Sequence, residues 1–412
     1  MLQVGLFGLG NVGQSFLKIL RQKKLPVQVV AVVDRSFARK KDILQEIPAS
    51  DDPSFILNQT KLDAVVELIG GSDTALFAAK ECLKKGIPFV TANKALLAEH
   101  GYSLFSLAQE NHTSIYFEAA VAGAIPIIHN LQNVYSWEKL EFLEGILNGT
   151  TNYILTRMHR EKKEYETILS DAQKLGLAES NPRLDVEGID AAQKLCLLTT
   201  LCTSTFVDIE RVFYRGIHEL TLQDVVWAQR MDYRIKLLAR AFFKEEEIFL
   251  GVEPTFVKSG HDLYDIQEEN NAIYFKGEFS ENHLFVGKGA GGFPTASAVV
   301  CDLLRIMRGE KYPWPKKWHY ARVQDIGTLP TSYYVRFLVQ DIAGVLAQVS
   351  EVFRDHNISI AVLHQEQQQN DRTAEIVLTT HETTRTNILE TLRKLTLLKE
   401  VMGRPVYYPI VS

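Results

Sequence analysis

The stretch from Glu179 to Lys194, ESNPRLDVEGIDAAQK, sets Glu179, Asp185, Asp190 and Lys194 just ahead of the apolar run Leu195-Cys196-Leu197-Leu198. If Gly188 opens a helix that continues through Leu201, Asp190 and Lys194 lie four residues apart on one face, while Asp185 and Glu179 approach from the preceding loop. An ammonium framed by carboxylates can give a proton to an oxygen that is gaining negative charge. Taken alone, the same pattern reads more simply as a solvated helix start with an i,i+4 ion pair. Two other groups change that balance. Gly8-Leu9-Gly10-Asn11-Val12-Gly13 has the spacing of a phosphate-cradling turn, and Lys94 follows Thr91-Ala92-Asn93 at the end of an apolar run.

The elements that must position these residues alternate along the first third of the chain. Leu2 to Phe7 is a short apolar strand, the glycines follow at once, and Ser15 to Arg21 has helical spacing. A second strand, Val27 to Val33, ends in Asp34. Glycines let the backbone turn tightly against a pyrophosphate, whose charge is stabilised by the free amides and dipole of the helix start. Strand, glycine turn, helix and a carboxylate about 20 residues on predict dinucleotide binding. Asp34 suits the ribose hydroxyls of NAD, while Arg35, with Arg39, Lys40 and Lys41 nearby, suits the 2′-phosphate of NADP. Both cofactors stay open, with a lean to NADP.

The alternation continues with strand 63–69, helix 74–85, strand 87–91, helix 95–109 and strand 114–118, implying a parallel sheet. Ligands bind beyond the carboxyl ends of such strands, which puts Gly70, Gly71, Thr91, Asn93, Lys94 and Glu118 on a functional rim. From Leu140 the pattern becomes α+β: strand 140–147, a turn at Asn148-Gly149-Thr150-Thr151-Asn152, helices 165–175, 190–201 and 225–242, then strands 249–257 and 273–277. A glycine-rich segment, Gly287 to Gly292, opens helix 295–308. Pro313, Pro315 and Pro330 mark a linker across 309–330. Beyond it the order is strand 333–339, helix 344–356, strands 358–365 and 373–380, helix 385–397 and strand 406–411, a ferredoxin-like βαββαβ unit expected to stand as a small independent domain.

A chain of 412 residues suggests two or three domains, and 46% apolar with 23% charged residues is globular composition. A formal charge of -5 argues against nucleic acid as the main partner and leaves a small molecule. Cys82, Cys196, Cys202 and Cys301 lack metal-ligand or disulfide spacing and read as reduced, buried helix residues. The start, MLQVGLFGLG, enters a strand without a leader, and no apolar run approaches 18 residues, so a cytoplasmic location away from membranes is expected.

Together these pieces resemble homoserine dehydrogenase of the single-function type over essentially the whole chain. The resemblance is carried by Gly8 to Gly13, Thr91-Ala92-Asn93-Lys94, Glu118 to Pro126, Gly145 to Tyr153, the 179–194 segment, and Gly289-Ala290-Gly291-Gly292-Phe293-Pro294-Thr295. It implies an NAD(P)-dependent interconversion of L-homoserine and L-aspartate 4-semialdehyde, in the route to threonine, methionine and isoleucine. It further implies Lys194 as proton carrier, oriented by Asp185, Glu179 and Asp190 as binders of the substrate's polar groups, and Lys94 between cofactor and substrate. Gly8, Gly10, Asn11, Val12, Gly13, Asp34, Arg35, Thr91 and Gly291 are the implied cofactor contacts. A sodium ion is implied on groups of Glu118, Val121, Gly123 and Ile125.

The C-terminal unit resembles the ACT type, with Asp341 to Gly344 and Gln365 as candidate contacts for a threonine effector, and a homodimer or homotetramer is expected. The implied α/β architecture is a Rossmann-type domain over 1–130 completed by 290–320, a substrate and dimerisation domain over 131–289, and an ACT domain over 331–412. The chain departs from the family pattern at Asn181 and Gln193, neither of which is a charged site position. A thioester-forming semialdehyde dehydrogenase would need an accessible thiol, which this reading does not provide. A non-catalytic sensor of dinucleotide and amino acid is the alternative from another class, but it gives no reason for the gathered lysines and carboxylates.

Overall fold

The protein is described here from a computed structural model covering residues 1–59, 61–71, 73–312, 315, 317–368 and 372–412; Pro313 therefore lies outside the described residues. Six parallel strands open the chain: β1 Leu2–Phe7, β2 Val27–Val33, β3 Ala49–Ser50, β4 Ala64–Glu67, β5 Phe89–Thr91 and β6 Ile115–Tyr116, in the order β3-β2-β1-β4-β5-β6. β4 and β5 are buried along their whole length because helices cover both faces of the sheet, which is why they read as unbroken apolar runs. Successive strands are added on one side of β1 up to β3 and on the other from β4 onward, and such a switch of strand order leaves a crevice beyond the strand ends. The helices Asn11–Lys23, Asp73–Lys84 and Lys94–Glu110 alternate with these strands, and Gly292–Met307 returns from far along the chain to pack on the first of them. Residues after it stay with this layer: the Tyr116 hydroxyl donates to the Glu310 carbonyl, and Gln109 donates to that of Pro315.

The remaining strands join one mixed sheet. β7 Leu140–Ile146, β8 Phe213–Tyr214, β9 Tyr233–Lys244, β10 Glu247–Lys258, β11 Asn270–Gly277, β12 Glu281–Lys288, β13 Val323–Asp325, β14 Ser332–Gln340, β15 Ile360–Gln367, β16 Thr373–Thr380 and β17 Val401–Val411 run in the order β12-β11-β7-β9-β10-β17-β14-β16-β15, with β8 and β13 also paired to β10. Against this sheet lie the helices Gly149–Glu161, Ile189–Thr203 and Leu222–Arg230.

Several expectations are corrected. The helix expected over 225–242 ends at Arg230, and the rest is β9, antiparallel to β10 from Tyr233↔Lys258 to Lys244↔Glu247. Residues 235–241 are buried continuously, so both faces are covered and no alternation remains to separate strand from helix. β12 has no counterpart in the sequence reading; it takes in Gly287 and Lys288, the first residues of the glycine-rich segment expected to open helix 295–308. The strand expected at 114–118 shortens to β6, and Glu118 instead starts a 3-10 turn, Glu118–Ala120. The linker is partly structured, since β13 adds to β10 in parallel.

The C-terminal βαββαβ order is present, with helices Val345–Asp355 and Arg385–Leu395, but its sheet is not separate. β17 pairs with β14 on one side and, through Ile410 and Val411, with Phe256 and Val257 of β10 on the other. Of the cysteines, all four lie in helices, yet only Cys82 and Cys196 are buried; Cys202 is intermediate and Cys301 exposed. No helix among the described residues is long and apolar enough to cross a membrane.

Candidate active site

The cofactor end is built by β1, its glycine turn and the Asn11–Lys23 helix. Gly8 has φ +96°, and a Cβ there would lie 2.7 Å from the Leu68 carbonyl oxygen. A Cβ on Gly13 would lie 2.2 Å from the oxygen of Gly8, so this glycine lets the helix close on the strand. Gly10 differs: nothing among the described residues beyond its chain neighbours stands within 4 Å of its missing Cβ, and it lines a cavity of about 650 Å³ with Gly8, Asp34, Arg35, Gly70 and Gly71. Gly291, with φ +123°, caps the Gly292–Met307 helix; a Cβ on the next glycine would meet Asn11 Oδ1 at 2.7 Å. That bare backbone brings the second glycine-rich segment against Asn11 and, beside it, Val12.

Asp34 closes the far side of this cavity. Its Oδ2 accepts from the Leu9 amide at 2.8 Å, its Oδ1 from the amide and hydroxyl of Ser36 at 2.8 and 2.7 Å, and Lys40 Nζ bridges both oxygens at 3.0 and 3.1 Å. Burial pushes the carboxyl up, but the bonds from Ser36, Leu9 and Lys40 outweigh it and hold the group at about 2. Arg35 is exposed beside it on the cavity wall.

The rim is tied by a residue that the sequence did not single out. Glu67, wholly buried at the end of β4, accepts from the Thr91 hydroxyl at 2.6 Å and from the amides of Ile69 and Gly70 at 2.8 and 3.1 Å. Thr91 in turn accepts from the Asn93 amide at 2.9 Å, and Asn93 Nδ2 donates to the Gly71 carbonyl at 2.7 Å. The Thr91 side chain, expected to face the cofactor, is therefore an internal brace. Asn93 also caps the next helix by accepting from the Leu96 amide, which fixes Lys94 as that helix's first residue beside the cavity wall.

Lys94 meets the 179–194 segment there. Its Nζ lies 3.0 Å from Asp190 Oδ1, while Lys194 Nζ donates to Asp190 Oδ2 and to the Leu147 carbonyl, both at 2.7 Å. Asp190 and Lys194 are 5% and 8% exposed, so these are buried charges held by direct partners. Asn148 organises them: its amide donates to Asp185 Oδ1 at 2.7 Å and Asp190 Oδ2 at 2.9 Å, while its oxygen caps the Gly149–Glu161 helix at the Thr151 amide. The direct partner of Lys194 is thus Asp190 and not Asp185, whose contact runs through Asn148. Asparagine can bridge in this way because it carries donors and acceptors together, and its place at the head of the Asn148 to Asn152 string was the available sign.

Charge balance follows from the contacts. Burial opposes ionisation of Asp190, but Lys194 and Lys94 hold its carboxyl far below the usual range. The charge of Asp190, with Asp185 and Glu179 adding, raises the Lys94 ammonium, whereas burial and Asp190 raise the Asp185 carboxyl. Glu179 sits exposed at the outer edge of the cluster. Two ammonium groups converge on one carboxylate beside the dinucleotide-type cavity, an arrangement able to stabilise and protonate a nascent alkoxide.

The segment expected to hold sodium lies apart from the lysines. Glu118 is 2% exposed, with its oxygens on the amides of Ile128 and His129, both at 2.8 Å, and burial pushes its carboxyl up to about 7. Gly123, at φ +51°, follows Ala122 at +55°, turning the chain between Val121 and Ile125. The Ile125 carbonyl accepts from the Ile127 amide at 2.8 Å. Buried Asp302 accepts from the Glu118 amide through Oδ2 at 2.9 Å, while its Oδ1 makes no hydrogen bond among the described residues and faces Arg305 Nη1 at 3.7 Å. Carboxylate and carbonyl oxygens are the ligand types that a hard cation takes, and this segment supplies both in sequence. No cluster of three or more His, Cys, Asp or Glu among the described residues could hold a metal.

No thiol here is a ready nucleophile. Burial pushes Cys82 to about 12 and raises Cys196, Cys202 and Cys301.

Comparison with known proteins places these features. A model of the homoserine dehydrogenase NAD-binding domain matches residues 8–118, the homoserine dehydrogenase model matches 126–304, and the ACT domain model matches 333–396. The chain is 35% identical to homoserine dehydrogenase of Bacillus subtilis (strain 168), covering 97% of this chain and 96% of that protein. It is 36% identical to that of Helicobacter pylori (strain ATCC 700392 / 26695), covering 98% and 97%. The crystal structure of a homoserine dehydrogenase from Thiobacillus denitrificans superposes with TM-score 0.94 at 33% identity, covering 100% of this chain and 98% of the other.

Proposed function

This chain belongs to the homoserine dehydrogenase family and is an NAD(P)-dependent oxidoreductase acting on a CH–OH group; from that premise we propose how its own residues carry the reaction. When bound, the nicotinamide cofactor supplies or accepts the hydride. Lys194 carries the proton, giving it to the semialdehyde oxygen in reduction and taking it from the homoserine hydroxyl in oxidation. The supporting observation is that Asp190 and the Leu147 carbonyl occupy two of its three N–H bonds, which leaves one for a substrate oxygen. Lys94, across Asp190, stays charged and neutralises the oxygen's developing charge.

Asp190 serves the substrate by fixing both cations, and Asp185 positions Asp190 through Asn148. Glu179, exposed at the mouth, receives the substrate ammonium. Gly8, Gly10, Asn11, Val12 and Gly291 pack against the pyrophosphate side of the cofactor, with Gly13 acting through the close approach of helix to strand, and Asp34 and Arg35 frame its adenosine ribose. NADP is the favoured form, supported by the occupation of both Asp34 oxygens and by Lys40 and exposed Arg35 beside them. Glu118 with the carbonyls of Val121, Gly123 and Ile125 would hold a sodium ion, supplying local structure and no step of the reaction.

The enzyme serves the cytoplasmic route to threonine, methionine and isoleucine as a homodimer or homotetramer, and its ACT domain binds threonine at the Asp341 to Gly344 turn. That reading is supported by Gln365 Nε2 lying 3.3 Å from Asp341 Oδ1, which brings the two candidate contacts together. A spectrophotometric assay with L-homoserine and each cofactor in turn, repeated under a threonine titration, tests it. Reduction of NADP in preference to NAD and loss of rate with threonine are expected; no turnover with homoserine defeats the mechanism, and an unchanged rate defeats the regulation.

A further inference from the structure

A second cavity, of about 360 Å³, lies between the Gly149–Glu161 helix, the Leu222–Arg230 helix and β9. Its wall carries His159, Arg160, Lys162, Arg234 and Lys236, and no Asp or Glu among the described residues lines it. Lys236 is the telling one. It projects from β9 with 2% exposure, and its Nζ donates to Asn152 Oδ1 at 3.0 Å and to the Ile266 carbonyl, both neutral groups.

A buried ammonium is costly unless an anion pairs with it. The carboxylates nearby are already engaged: Asp265 with Arg234 at 2.6 Å and Glu268 with Arg160 at 2.6 Å. His159 Nδ1 is also buried without a hydrogen-bond partner among the described residues. Burial and the charge of Arg234 pull the Lys236 ammonium down to about 7, the response expected of a cation whose counter-ion is missing.

We propose that this cleft binds a small polyanion, a phosphate-bearing or multiply carboxylated metabolite, with the remaining N–H of Lys236 and the Lys162 charge as its receptors, joined by the guanidinium N–H groups of Arg160 that its pair with Glu268 leaves over. The volume, at the low end of small-molecule sites, admits a metabolite of that size and excludes a whole dinucleotide. The cleft also touches two helices that matter elsewhere. Asn152, which holds Lys236, lies one turn from Asn148 at the lysine site, and Trp227 and Arg230 on the second helix bond Glu375 and Glu366 of the C-terminal domain.

The test is calorimetric titration of the full-length protein with inorganic phosphate and, separately, citrate, against sodium chloride of equal ionic strength. Saturable binding of at least one polyanion is expected, the stronger titrant identifying phosphate or carboxylate as the preferred group. Lys236→Met should weaken it by about tenfold or more, the loss of a charge-assisted hydrogen bond. Because that variant alters a buried site, Arg160→Gln and Lys162→Gln, both at exposed positions, form the second arm and should each weaken binding about threefold. Binding no stronger than that of chloride, or unchanged affinity in the exposed variants, overturns the proposal.

Discussion

Asp190 holds two buried or half-buried ammonium groups with one carboxylate, a solution that satisfies charge inside the protein while leaving hydrogen-bonding capacity for a substrate. The i,i+4 spacing of Asp190 and Lys194 was legible because both lie on one helix. Lys94 was legible only as a lysine on a strand rim, since its meeting with Asp190 depends on packing between two domains. The family resemblance implies Asp185 as the residue that orients Lys194, and no sequence pattern shows the amide of Asn148 that stands between Asp185 and the Asp190–Lys194 pair. Asp34 carries a separate residue-scale consequence. Its folded pKa, about 2, lies below the ordinary 3.8, so it stabilises the fold above that range and loses the contribution as pH falls through the folded value. Asp34→Asn should therefore cost about 1 kcal/mol near neutral pH, discounted for partial exposure, with the gap closing as pH falls from about 4 toward 2. Urea unfolding of both proteins across that range checks it; a gap that widens in acid would contradict the assignment.

At the scale of elements, the three glycines of the first turn have different jobs. Gly13 faces backbone and Gly10 faces open space, so their alanine variants separate fold from ligand. Gly13→Ala should destabilise by about 2 kcal/mol through overpacking, seen as a lower Tm. Gly10→Ala should keep its Tm and weaken cofactor binding about tenfold or more, seen by fluorescence titration of NADPH. Equal effects in both assays would contradict the division. Strand and glycine turn were legible here because each strand is short, apolar and punctuated. β9 was not, because burial on both faces removed the alternation that would have marked it as a strand.

For the whole molecule, the C-terminal domain is joined by a shared sheet and by buried charge. Arg336 reaches Asp224 at 2.7 Å and Glu375 at 3.1 Å, while Trp227 donates to Glu375 at 2.6 Å. Arg385 similarly engages Glu253 and Asp325. The βαββαβ order was legible; its fusion was not, since the β17–β10 pairing joins residues far apart in the chain. Deletion after Pro330 would take Arg336 from buried Asp224 and Arg385 from Glu253, leaving Glu253 with only the longer pairs to Arg215 and Arg240 at 3.5 and 3.7 Å, so regulation is better tested in the intact chain. Arg336→Met should destabilise by about 3 kcal/mol, read by chemical denaturation, and a change within 0.5 kcal/mol would mean that the two parts are not energetically joined there.

The central claim is that Lys194 carries the proton while the glycine turn holds the cofactor. Steady-state oxidation of L-homoserine by Lys194→Ala, with cofactor affinity measured on the same preparation, tests it most directly. The account predicts kcat lower by about 10² or more with cofactor Kd little changed; near-normal turnover would contradict it.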